Sequence, residues 1–451
     1  MKKQQKHFIA FLCLFVFLFS GCSNLERSPS DPSDLVGEQS LTFYVLKDNF
    51  SDISSIVTQF RTENPQIVLS ITQFDTTEEL DDALVRDLNT NTAPDVVLLD
   101  YRTTLDLQKM AKSGAFLEFE ESLAETVGFD PGSFLGAAVE GCRMDGAQYF
   151  IPIAFLPQIE FYSTHAQAQH LFRAGETSRD EYYEILADHA AQYEKDPSVI
   201  SIFEQFPLQG KTDVSVTQAV LASSGILGDF SVAEEDTLQK TIDWIKLIKE
   251  QNEKFQGYDG DFWDHYDTFY WDDNLFYTVS GYDLVTGIYS YLSTLEGIYK
   301  DGGDYVIFPK QSDPQAYSVL ATFFGAVSKD CDCPQEAFSF LTLVADSYYN
   351  LRVTPDNPMW FAPVKTANFE KALEVLMEFG GRVGGSQVDP LSEQEAQRMR
   401  DIYEAVTDYA LPNAPLAEFI ELEFADYFQG TGDYETCYLN FSRKYELYLN
   451  E

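Results

Sequence analysis

Positive charge is what this chain of 451 residues has least of: 30 Lys and Arg stand against 73 Asp and Glu, a formal net charge of −43. A field of that sign repels phosphate backbones and anionic lipid surfaces, so nucleic acid is not an expected partner, and an anionic ligand would need a local basic pocket. Histidine is also scarce, with five in all and none in an HExxH arrangement; His165 and His170 are five residues apart, a poor spacing for one helical face. Neither GxSxG nor a Walker A loop occurs, so the signatures of serine hydrolases and of nucleotide hydrolysis are missing. Carboxylate pairs run glycosidases, but a chain with 73 acidic residues contains such pairs by chance. Neither an enzyme nor a bound cofactor is therefore expected. Cysteine is limited to Cys13, Cys22, Cys142, Cys331, Cys333 and Cys437, without a CxxC pair. Cys331-Asp332-Cys333 is too tight for an easy mutual disulfide and too little on its own to specify a metal, so no metal is expected. One bridge among Cys142, Cys331, Cys333 and Cys437 stays open. No apolar run reaches the roughly 20 residues that span a bilayer.

What is present is an ordinary globular balance, 45% hydrophobic and 23% charged. At roughly 150 residues per domain, the length allows two or three domains. The 36 Phe, 26 Tyr and 4 Trp exceed what a core alone requires and leave rings for stacking surfaces. The N-terminus has its own pattern. Lys2, Lys3 and Lys6 precede an apolar run from Phe8 to Phe19, and Ser20-Gly21 then leads into Cys22. A basic start, a short apolar run and small residues make a secretory signal. Small residues directly before a cysteine resemble a bacterial lipobox, which implies removal of residues 1–21 and lipidation of Cys22. Residues 22–40, rich in Ser, Pro, Asp and Glu, read as the lipidated cysteine and a flexible tether. The expected location is the outer face of the cell membrane, held by lipid.

From Leu41 onward the periodicity alternates between two and 3.6. "LTFYVL" reads as a strand. Ile53, Ile56, Val57 and Phe60 share a helix face, and Asn64-Pro65 ends that helix. "QIVLSITQF" alternates as a strand, and Thr76 with Glu79 suggests a capping box for a helix carrying Leu80, Leu84 and Leu88. After Ala93-Pro94, "DVVLLD" is a fully buried strand. This β-α-β-α-β order predicts a parallel sheet with helices on both faces, and ligands bind beyond the carboxyl ends of such strands. Those ends are Lys47-Asp48-Asn49 and Asp100-Tyr101-Arg102. Further on, Asp145-Gly146 is a turn into the strand "YFIPIAF", and residues 180–255 are mainly helical, with Leu238, Ile242, Ile245 and Ile248 on one period. "DYVIFP" and "VLATFFGAVSK" contain strands, Glu336 to Asp346 is an apolar helix, and the remainder after Pro363 reads as helical to the end.

Six stretches in this order resemble the extracellular solute-binding proteins of ABC importers, in the sugar-binding branch. They are "QFRTENPQIVLSI", "TNTAPDVVLLDY", "DGAQYFIPIAFLPQIEFYS", "FYTVSGYDL", "FFGAVSKDCDCPQEAFSFLTLV" and "PVKTANFEKAL". The resemblance implies an α/β, two-lobed fold, each lobe a mixed, mostly parallel sheet flanked by helices, with a ligand cleft between them. Lobe one would take residues 41–153 and 305–350, and lobe two residues 156–303 and 356–451. The resemblance further implies a monomer that captures a sugar and delivers it to the permease subunits of an ABC transporter.

A neutral sugar offers hydroxyls to charged or amide groups and C–H faces to aromatic rings. Lys47 and Asp48 match the family's strand-end pair, and Asp100 and Tyr101, with Arg102 beside them, match the next loop. Phe155 follows the first crossing between lobes, Phe323 lies near the second, Tyr282 and Asp283 follow Gly281, and Trp360 sits in the late loop. Hydroxyl hydrogen bonds fall to Asp48, Asp100 and Asp283, and stacking to Tyr282 and Trp360. Arg102 reads equally as a surface residue or a partner for Asp100. Acid-plus-aromatic composition also suits a cation such as a polyamine, and a surface lipoprotein without a transport role fits the anchor. "YDGDFWDHYDTFYWDDN", Tyr258 to Asn274, reads as a partly buried loop, a sugar-cleft rim or a calcium site.

Overall fold

The structure, a computed structural model, describes residues 39–156, 159–163, 201–204, 213–227, 235–256, 276–280, 303–307, 315–348, 362–383, 386–388 and 390–450, with isolated positions between 181 and 188. The signal and tether, Cys22, the segment 258–274, Tyr282, Asp283 and Trp360 lie outside the described residues.

Residues 39–100 follow the alternation in the sequence. Strand β1 (Gln39–Leu46) leads directly into helix α1 (Lys47–Glu63), whose Ile53, Ile56, Val57 and Phe60 are all buried. The chain leaves α1 at Asn64, whose N–H still bonds the Phe60 carbonyl before Pro65 forbids another turn. Strand β2 (Ile67–Phe74) and helix α2 (Thr77–Thr90) follow. The Thr76 hydroxyl caps α2 by accepting from the Glu79 N–H, whereas the Glu79 carboxylate reaches Asp75 N–H and not Thr76, so the expected box is half formed. Strand β3 (Val96–Asp100) is buried at every residue and pairs parallel with β1.

Helix α3 (Gly136–Gly141) precedes a tight hairpin at Asp145-Gly146, where both residues have positive φ, 52° and 86°. Strand β4 (Phe150–Leu156) is buried throughout. Next come β5 (Ile159–Ser163), β6 (Ser201–Glu204), α4 (Asp213–Ser224), α5 (Glu235–Gln256), β7 (Phe276–Ser280) and β8 (Gly303–Ile307). Strand β9 (Tyr317–Val327) and helix α6 (Pro334–Ser347) return the chain to its first sheet. The end of the chain contributes β10 (Ala362–Pro363), α7 (Thr366–Phe379), α8 (Glu393–Glu404), β11 (Val406–Ala410), α9 (Ala414–Glu423) and α10 (Tyr434–Asn450).

Two principal sheets form among the described residues. The larger runs β10-β4-β9-β3-β1-β2, with β11 also pairing β9. β9 is antiparallel to both β3 and β4 and parallel to β11, so this sheet is mixed. The smaller runs β8-β5-β7-β6. On the large sheet, Phe340 of α6 packs between Phe43 of β1 and Phe60 of α1, with ring centroids 5.1 and 5.2 Å away. A second hydrophobic cluster joins Val220 and Leu221 of α4, Ile242 and Ile245 of α5, Leu416 and Ile420 of α9 and Phe441 of α10.

The structure differs from the sequence reading in three places. Residues after Pro363 are not helical to the end: β11 interrupts them, and a short hairpin joins Gly381–Val383 to Ser386–Val388. The stretch 356–451, assigned to the second lobe, is divided. β11 hydrogen-bonds to β9 of the large sheet, Tyr409 donates its hydroxyl to the Ala154 carbonyl and Tyr403 donates to that of Val364, while α9 and α10 join the second cluster. Residues 303–307, partly assigned to lobe one, pair with β5 of the smaller sheet, and the chain rejoins the large sheet only at Tyr317. Long-range pairing decides all three, and local periodicity carries no information about it.

Candidate ligand-binding site

β9 carries β3 and β11 on one edge, and their carboxyl ends approach each other there. Asp100 of β3 lies opposite Phe323, Ala410 of β11 lies opposite Leu320, and the Tyr101 N–H bonds the Thr322 carbonyl between them. Tyr101, Leu156, Leu320 and Ala410 belong to the second hydrophobic cluster. The carboxyl end of the large sheet is therefore where the two cores meet, and open α/β sheets bind ligands at that end.

Lys47, Asp48 and Asn49, expected as a loop after β1, form the first turn of α1. No side chain caps this helix, so its N-terminal N–H groups and its positive dipole end face the same region, and Asp48 in the first turn is favourably placed against them. Lys47 and Asp48 are both exposed. Lys47 donates to Asp75 at 2.9 Å, a bond that raises the ammonium pKa and brings the end of β2 beside the end of β1. Three successive strand ends thus offer polar groups side by side.

Asp100 has a different role from the one expected. It is only 3% exposed, and its carboxylate is spent inside the protein. It accepts from Asn49 Nδ2 at 2.9 Å, from the Arg102 backbone N–H at 2.9 Å, and from Arg102 Nη2 at 2.6 Å. Asp100 fixes Asn49 and Arg102, and Arg102, with a quarter of its side chain exposed (26%), is the group presented outward, its guanidinium 5.8 Å from the Tyr101 ring centroid. Burial works against the charge of Arg102, but the bonds and charge of Asp100, with Asp48 farther off, hold its pKa above the ordinary value. Beneath this layer, buried Asp81 of α2 accepts from Thr103 Oγ1 at 3.0 Å, Thr104 N at 2.7 Å and Thr104 Oγ1 at 2.9 Å, tying the loop after β3 to the helix. Burial raises the Asp81 pKa to about 6; the three hydrogen bonds oppose the rise and nearby Asp100 adds to it.

The structure brings Lys47, Asp48, Asp100 and Tyr101 to one end of the sheet. Phe155 and Phe323 are buried instead, because β4 and β9 are central strands: Phe155 packs on Tyr403 and Phe323 on Tyr348, with centroids 5.9 and 5.3 Å apart. Their rings are used in core packing. Asn49 was named only as part of the first strand end, and Asp75 and Asp81 were not singled out from the sequence. The strand-end rule that selected Lys47 also points to Asp75, directly after β2; nothing local marks Asp81.

No protein-family model matches the chain, and no curated protein does. Solved structures do match. The sugar-binding protein MalE from Xanthomonas citri superposes with a TM-score of 0.61 at 14% identity, over 90% of this chain and 96% of that one. An ABC substrate-binding protein from Listeria monocytogenes, solved with cycloalternan, gives 0.55 at 13% identity over 92% and 99%. The galacto-N-biose-/lacto-N-biose I-binding protein from Bifidobacterium longum, solved with lacto-N-biose, gives 0.55 at 14% over 90% and 96%. The chain has the two-lobed fold of ABC solute-binding proteins. On this fold the strand-end cluster of Lys47, Asp48, Asn49, Asp75 and Arg102 supplies both hydrogen-bond donors and acceptors. Among the described residues, no helix is long and apolar enough to cross a membrane.

Proposed function

We propose that this protein is the substrate-binding component of an ABC transporter, capturing a sugar or oligosaccharide outside the cell and passing it to the permease. The observation that carries the reading is the fold match over nine-tenths of the chain to a sugar-binding protein and to proteins solved with cycloalternan and lacto-N-biose, joined to an uncapped helix start and polar strand ends at the meeting point of the two cores. Lys47, Asp48 and Arg102 hydrogen-bond ligand hydroxyls, with Asp100 and Asn49 positioning them. Tyr282 and Trp360 stack on the sugar, Asp283 bonds a further hydroxyl, and Tyr101 adds an aromatic ring. Residues 1–21 are the export signal, and Cys22 carries the lipid that keeps the monomer beside the membrane.

A thermal-shift screen over mono- and oligosaccharides, polyamines and short peptides tests the ligand class, since a ligand that binds only the folded state raises Tm by mass action. A sugar is expected to give the shift; a shift with spermidine and none with any sugar overturns the choice. For the anchor, Cys22→Ala is expected to leave the protein unlabelled by fatty acid and released from the membrane fraction. Unchanged labelling and retention would remove Cys22 from that role.

A further inference from the structure

At the opposite end of the large sheet from the candidate site lies a cluster that ligand capture does not use. Asp95 stands just before β3, and Cys331 and Cys333 lie between β9 and α6. One carboxylate oxygen and the two sulfurs all lie within 4.8 Å of one another. The residues come from segments more than 230 positions apart, so the fold assembles them.

The surroundings orient all three groups. Asp95 Oδ2 accepts from the Thr42 N–H at 2.7 Å and from its hydroxyl at 2.8 Å, which pins the carboxylate against the start of β1. Burial raises the pKa of both thiols and the nearby Asp95 carboxylate adds to the rise; the Cys333 N–H, directed at the Cys331 sulfur, only partly opposes it. Cys333 is the N-cap residue of α6, so its sulfur sits at the positive end of a 14-residue helix, and it lies 3.6 Å from the Ser40 carbonyl oxygen. Both cysteines are unbridged, Cys333 is buried, and Cys331 and Asp95 are half-exposed, which leaves a path from solvent.

We propose that Asp95, Cys331 and Cys333 form a site for a thiophilic divalent cation of the zinc class. Two sulfurs and one carboxylate oxygen are three ligands of a tetrahedral zinc site, and water or the Ser40 carbonyl supplies the fourth. Binding exchanges the two thiol protons for the cation, with no oxidant or reductant required. The cation joins the entry of β1, the start of β3 and the turn into α6. The Thr42 bonds serve as the outer support that metal-binding carboxylates commonly have.

The test is a titration of the purified, thiol-reduced protein with Co2+, followed by displacement with Zn2+. One Co2+ per chain is expected, with a sulfur-to-cobalt charge-transfer band that Zn2+ abolishes. The band should vanish in Cys331→Ser and Cys333→Ser, survive Cys142→Ala and Cys437→Ala, and need about 10- to 100-fold more metal in Thr42→Val, as loss of an outer-shell contact typically demands. A wild-type protein that gives no such band, or one whose band follows Cys142 or Cys437, overturns the proposal. So does a stable Cys331–Cys333 disulfide that withstands reduction. Ligand-induced Tm shifts should be unchanged in the cysteine variants, so this test and the sugar screen fail independently.

Discussion

Arg102 and Asp100 show how a residue's neighbours decide its role. An aspartate at a strand end invites the reading of a hydroxyl acceptor, yet this one is buried and saturated by Asn49 and Arg102. The sequence carried the pair but not its geometry: Arg102 could have been a surface residue, and only the loop after β3 folds it back onto its neighbour. Arg102→Ala leaves Asp100 buried with fewer donors and is expected to cost about 1–3 kcal/mol of stability by urea denaturation, and to weaken ligand binding as well. A variant that binds normally would remove Arg102 from the site. Asp81 makes a prediction in pH. Burial lifts its folded pKa to about 6, above the unfolded value of about 3.9. The folded state therefore holds this proton more tightly. Its stabilising contribution is fully present below about pH 4 and is lost as pH rises toward 6, on the order of 2–3 kcal/mol in all. Relative to Asp81→Asn, the wild type should lose that much stability across the window. A gap that stays constant with pH would contradict the assignment.

Elements differ in how far local sequence determines them. α1, α2 and the strands between them were legible because each buries one periodic face and ends at a breaker: Ile53, Ile56, Val57 and Phe60 on α1, then Asn64-Pro65. Lys47 to Asn49 read as a loop since they lie outside that apolar period, but the helix extends over them from the strand without any cap. β11 was not legible. "VTDYA" lies between two helices, and it becomes a strand only because β9, far away in the chain, offers a free edge beyond the end of β3. Its docking depends on close backbone approach. A Cβ on Gly141, the last residue of α3, would lie 1.9 Å from the Tyr409 carbonyl oxygen of β11. Backbone cannot yield as a flexible side chain can, so Gly141→Ala is expected to cost about 3 kcal/mol, an overpacking penalty, seen as a lower denaturation midpoint. A neutral effect would mean that β11 does not pack on α3 as described.

For the whole molecule, the β-α-β-α-β opening and the ordered motifs sufficed to anticipate an α/β solute-binding-protein fold, and the match to solved structures at 13–14% identity bears that fold out. The division of the chain between cores was less legible, because the C-terminal stretch supplies β11 to one core and α9 and α10 to the other. That sharing places the strand-end cluster at a junction where movement of one core relative to the other would alter the surroundings of Lys47, Asp48 and Arg102. On the proposed function, this junction binds a sugar. Calorimetric titration of the best sugar from the thermal screen into wild type and into a Lys47→Ala/Asp48→Ala variant tests it most directly. Saturable one-to-one binding by the wild type, weakened at least tenfold in a variant that keeps its Tm, is the predicted result; equal affinity in the two proteins, or no sugar bound by either, would contradict it.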